Sequence, residues 1–132
     1  MSHVTDEIDR NADDLFGVLS GGGAIAPWED LAEFAPGLGA QVRYGLGAVF
    51  TRSGLDMRTR ALVTVCMLAV LGGSEQQLAF HIGGALRVGA KAEEVVEALT
   101  LVSVCAGVPR AINAMKVARE LFAKMGIQFP SS

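Results

Sequence analysis

An all-α fold is predicted for this 132-residue chain by three features of the sequence. Apolar residues recur at three- and four-residue spacings, glycine and proline break that pattern at helix-length intervals, and no stretch shows the sustained two-residue alternation of half-buried strands. About six to seven helices fit between the breaks, within a single domain over 1–132. A chain of this length buries roughly two thirds of the surface that its unfolded form exposes, enough for one core.

The first helix is expected over about 5–19, where Ile8, Leu15, Val18 and Leu19 are apolar, and it stops at Ser20-Gly21-Gly22-Gly23. Residues 1–27 thus read as an N-terminal helix and a glycine-rich linker. The triple glycine lacks the Gly-Lys-Ser/Thr ending of a phosphate loop, so it does not indicate nucleotide binding. A short helix near 28–34 ends at Ala35-Pro36-Gly37, and another runs to about Phe50. Asp56 is a good N-cap for a helix that carries Leu62, Val63, Cys66, Met67 and Val70 as far as Gly72-Gly73, the expected central core helix. Next comes the helix that holds His81, stopped at Gly89, and then one over about 93–105 with Val95, Val96, Leu99 and Val102. Gly107 ends that helix, and Pro109 suits the first turn of the last one. This final helix runs to about Met125, with Ile112, Met115 and Phe122 on one stripe and Val117 and Leu121 on another.

Composition narrows the function classes. With 51% hydrophobic and 19% charged residues, the chain is more apolar than so small a soluble monomer needs, and an oligomer is expected. A net charge of −3 without a basic run gives no electrostatic footprint for nucleic acid. The longest apolar stretch, 61–73, is too short to span a bilayer, so no membrane partner is expected. The acidic N-terminus lacks a signal-peptide pattern, and Cys66 and Cys105 stand in no metal or redox spacing. A cytoplasmic protein with free thiols and no metal site is therefore expected.

His81 is the one histidine embedded in a strongly patterned helix, with Leu78, Ile82, Ala85 and Leu86 apolar around it. Imidazole exchanges protons near neutral pH, so His81 is a candidate proton-transfer group; a core or interface histidine satisfied by one hydrogen bond is the other reading. At about 100° per residue, Ser74 and Gln77 fall within about 20° and 40° of His81. Glu75 points away and equally suits a first-turn acid favoured by the helix dipole. Arg58 and Arg60 could hold a carboxylate or lie on the surface, and Cys105 is either a thiol before a helix N-terminus or a packing residue.

A longer pattern links these residues. It runs from Gly47-Ala48-Val49-Phe50-Thr51-Arg52-Ser53-Gly54-Leu55-Asp56-Met57-Arg58-Thr59-Arg60 through Leu62-Val63-Thr64-Val65 and Leu78-Ala79-Phe80-His81 to Glu93-Glu94-Val95 and Ala106-Gly107-Val108-Pro109. Over about 28–122 the chain resembles the carboxymuconolactone decarboxylase family, in the superfamily that also holds the AhpD alkylhydroperoxidases. The resemblance implies an all-helical subunit of a trimer or hexamer with sites close to subunit contacts. Where AhpD-type members carry a Cys-x-x-Cys pair, this chain has Ser74 and Gln77, which cannot perform thiol-disulfide exchange. Where decarboxylase members often carry glutamate and tyrosine, it has Gln77 and Cys105.

The resemblance further implies cofactor-independent loss of carbon dioxide from a small carboxylated lactone or related acid. His81 would then be the proton donor, Glu75 a group orienting it, Gln77 and Ser74 hydrogen-bonding groups, and Arg58 or Arg60 carboxylate ligands, with Cys105 in the pocket. A related lactone or isomerase reaction, a non-catalytic oligomeric binding protein and an AhpD-like peroxidase are the alternatives.

Overall fold

Helices form almost wherever the apolar spacing places them. In a computed structural model that describes residues 3–131, seven α-helices and one π-helical turn account for all the regular structure. The chain divides into two compact units, Met1–Met57 and Arg58–Ser132.

The first unit holds α1 (His3–Ser20), α2 (Pro27–Asp30), α3 (Pro36–Tyr44) and the π-helical turn Gly45–Val49. Ala12, Leu15, Phe16 and Leu19 form the buried stripe of α1, whereas Val18, expected on that stripe, is exposed. The three glycines join α1 to α2, which is shorter than the sequence suggests because Pro27 starts it and Asp30 ends it. The phenyl ring of Phe16 meets the Trp28 indole edge-on at 5.5 Å, and the Arg43 guanidinium stacks over that indole at 5.5 Å. The same guanidinium donates to both carboxylate oxygens of Asp13 at 3.0 and 2.9 Å, so one side chain ties α3 to α1 and α2. Gly47 admits the closest backbone approach, since a Cβ there would fall on the carbonyl oxygen of Ile8.

The second unit holds α4 (Met57–Leu71) from its second residue on, α5 (Glu75–Arg87), α6 (Ala92–Ala106) and α7 (Val108–Lys124). Its core joins Ala61, Val65 and Ala69 of α4, Leu78, Ile82 and Ala85 of α5, Val95, Leu99 and Val102 of α6, and Ala114, Ala118 and Phe122 of α7. Glu94 closes the first turn of α6, its carboxylate accepting from the Lys91 backbone N–H at 2.9 Å.

Two expectations about side-chain placement are corrected here. Of the stripe Leu62, Val63, Cys66, Met67 and Val70, no member is fully buried, and Val63, Met67 and Val70 are exposed; α4 reaches the core through Ala61, Thr64, Val65 and Ala69 instead. This helix is apolar nearly all round, so spacing cannot distinguish its inner side from its outer one. Ile112 of α7 is likewise exposed, because small alanines at 111, 114 and 118 let α7 lie close to its neighbours on their own face.

Candidate active site on α5

Gly72 (φ +69°) and Gly73 (φ +71°) turn the chain from α4 into α5. Positive φ is cheap for glycine alone, and a Cβ on Gly72 would also run into the Arg110 guanidinium. Ser74 is the N-cap residue of α5, but its hydroxyl does not cap the first turn. That leaves the hydroxyl available to other groups.

Leu78, Ile82, Gly83, Gly84 and Ala85 form the buried side of α5. Ser74 and His81 are half-buried and Gln77 is exposed, so these three polar groups run along the border between core and surface at helical offsets of three and four. His81 meets the Phe80 ring edge-on, with centroids 5.1 Å apart and planes at 80°. Burial holds the imidazole below its ordinary pKa of 6.5, because the low-dielectric surroundings disfavour the charged form. His81 is therefore predominantly neutral at pH 7, with one nitrogen donating and one accepting.

The other sequence-predicted site residues lie apart from this row. Glu75 is exposed, and with Ser74 it lines a cavity of about 20 Å³ together with Leu78, Arg110 and Asn113, room for roughly one water. Arg58, the second residue of α4, forms an ion pair with Glu94 at the start of α6. Arg60 is half-buried, and its carbonyl accepts from the Thr64 hydroxyl at 2.8 Å. Cys105 is exposed near the end of α6. Cys66 donates its thiol to the Ala98 carbonyl at 3.7 Å, and burial pushes its pKa up, which keeps it a thiol. Arg110 and Asn113, which line the cavity beside Ser74 and Glu75, went unselected in the sequence. Their signal was position alone, in the turn of α7 that follows Gly107-Val108-Pro109. Among the described residues no group of three or more His, Cys, Asp or Glu side chains is placed to hold a metal ion.

Residues 36–120 match the carboxymuconolactone decarboxylase family, and His81 lies within the matched segment. The chain belongs to that family. It is 36% identical over 85 residues to a 4-carboxymuconolactone decarboxylase of Acinetobacter baylyi, covering 64% of this chain and 63% of that one. It is also 34% identical over 79 residues to an uncharacterized 15.0 kDa protein in the nqo9-nqo10 intergenic region of Paracoccus denitrificans, covering 59% of each chain. The chain thus spans less than two thirds of the length of these curated relatives. As a member of this family it shares an all-helical fold, and among the described residues no helix is long and apolar enough to cross a membrane.

Proposed function

We propose that this family member is a carboxy-lyase of the 4-carboxymuconolactone type, releasing carbon dioxide from a small carboxylated lactone or related acid, with His81 as the proton donor. The observation that carries the reading is a half-buried imidazole on α5 within the segment that matches the family. In the reaction the bond between the ring carbon and the carboxylate breaks, and its electron pair passes into the conjugated lactone to give a dienolate. The ring itself serves as the electron sink, so this chemistry calls for no additional electron-accepting group. Protonation of the dienolate carbon then yields the enol-lactone.

His81 supplies that proton, drawing on its imidazolium form and recovering it from solvent. Gln77, one turn back on the same side of α5, donates its amide N–H to the developing oxyanion, and Ser74 offers a further donor. A substrate carboxylate beside the imidazole favours the charged form of His81, opposing the effect of burial. Arg58 and Arg60 are the candidate carboxylate ligands, and Arg58 would have to exchange Glu94 for the substrate.

Incubation with 4-carboxymuconolactone, with carbon dioxide and lactone products measured, tests the proposal. Carbon dioxide released in step with enol-lactone supports it. Conversion of an unsaturated lactone without carbon dioxide release would instead support an isomerase-type reaction, which the amide at Gln77 and the thiol at Cys105 favour as the second reading. A thiol peroxidase reading has little support, since Ser74 and Gln77 carry no sulfur and the Cys66 thiol is held protonated.

A further inference from the structure

The turn from α4 into α5 receives a guanidinium that the fold leaves without a partner. Arg110, the third residue of α7, reaches Gly72 so closely that a Cβ on that glycine would fall on its Nη1. Any side chain at position 72 would displace it. Among the described residues Arg110 forms neither a hydrogen bond nor an ion pair, whereas Arg43 is paired with Asp9 and Asp13, and Arg58 with Glu94. A guanidinium offers five donors in a planar fork, and that fork matches a carboxylate.

Asn113, one turn further along α7, lines the same cavity of about 20 Å³, and Leu68 and Val117 give it an apolar wall. The volume suits roughly one oxygen atom with its hydrogens, so it admits the end of a ligand and not a ring. The Asn113 amide and the Ser74 hydroxyl likewise form no hydrogen bond among the described residues. Glu75 also lines the cavity, but it is exposed and does not pair with Arg110. Solvent screens its repulsion of an anion, while a carboxylate on Arg110 gains the direct charge-assisted contact.

Ser74 belongs both to this cavity and to the row that continues through Gln77 to His81, about 10 Å from Ser74 along the helix axis. A ligand with its anionic end at Arg110 and its reacting end at His81 lies along α5. The chemistry decides which anionic group Arg110 holds. A departing carboxylate loses its charge as carbon dioxide forms, so a cation bonded to it favours the ground state over the transition state. A carboxylate that the product keeps carries the same charge throughout, and a cation on it strengthens binding without opposing the reaction.

We infer that Arg110, with Asn113, holds a carboxylate that the substrate retains, and so sets a preference for lactone acids with a second acidic group. The identity of the reacting end rests on the carboxy-lyase reading; the contact at Arg110 is tested by binding, without turnover.

The enol-lactone product keeps one carboxylate, on its acetate arm, and its methyl ester has none. Binding of both is measured by calorimetry for the wild type, Arg110→Gln and Asn113→Asp, with helicity followed by circular dichroism. Each variant should weaken binding of the acid by about ten- to a hundredfold at unchanged helicity. Arg110→Gln should leave binding of the ester within about threefold of the wild type, and in turnover it should raise KM with kcat little changed. A wild type that binds acid and ester alike overturns the inference, as does acid binding that both helical variants leave intact. Equal weakening of acid and ester by Arg110→Gln, or a fall in kcat at constant KM, overturns it too. Acid binding that depends on Arg110, in a wild type that releases no carbon dioxide from 4-carboxymuconolactone, upholds this site and refutes the carboxy-lyase reading.

Discussion

Replacing His81 with glutamine removes the titrating ring while keeping a side chain of similar reach that can donate and accept hydrogen bonds. His81 lies at the edge of the core that Leu78, Ile82 and Ala85 form, and the lost contact of known geometry is the edge-on pair with Phe80, worth about 0.5–1.5 kcal/mol. The catalytic cost is larger, because a positioned proton donor accelerates a reaction by about 10²- to 10⁴-fold. That factor corresponds to about 2.7–5.5 kcal/mol of barrier. Turnover on 4-carboxymuconolactone, followed as carbon dioxide release, should therefore fall by two to four decades, while the unfolding midpoint in urea moves only slightly. The loss should appear in kcat, since the proton is transferred in the transition state and not on binding. A folded His81→Gln protein that turns over within about threefold of the wild type would refute the assignment of His81 and leave it a packing residue.

Further outcomes follow from the same geometry. Because burial lowers the His81 pKa, the unfolded chain binds a proton near pH 6.5 that the folded chain refuses; this contribution to stability is complete above pH 6.5 and is lost as pH falls from there towards the folded value. Thermal melts of the wild type from pH 7.5 downward should show that loss, and His81→Gln should lack this component. If imidazolium is the donor, kcat/KM in the wild type should rise as pH falls, with its midpoint below 6.5, and that limb should disappear with the imidazole. Gly47→Ala places a methyl group on the Ile8 carbonyl and must push α1 away, so it should cost at least the ~1–3 kcal/mol typical of overpacking, read as a drop in Tm. Glu94→Ala removes the acceptor of the Lys91 N–H at the start of α6 and the partner of Arg58, for a loss of about 1–2 kcal/mol in urea unfolding. Glu94→Gln, which keeps an acceptor, should cost less than ~1 kcal/mol.

What was legible in the sequence is what local rules govern. The all-helical class, the glycine breaks at 72–73 and 107, the proline in the first turn of α7 and the shared side of Ser74, Gln77 and His81 depend on residues a few positions apart, where one helical turn decides the outcome. The pattern from Gly47 to Pro109 carried the family in the same way, as an ordered series of types and spacings. Which side of α4 faces inward, by contrast, is not written in its period, because Leu62, Val63, Met67 and Val70 are as apolar as Val65 and Ala69. The ridge of alanines on α7 and the approach of α6 decided it, burying Ala61, Val65 and Ala69 and leaving the larger side chains outside. Tertiary structure also decided that Arg58 is engaged by Glu94, a residue 36 positions away, and that Arg110 and Asn113 share a cavity with Ser74 and Glu75. The proton-exchanging capacity of His81 belongs to its side chain alone. The lowering of its pKa comes from desolvation, which exists only once α5 is packed.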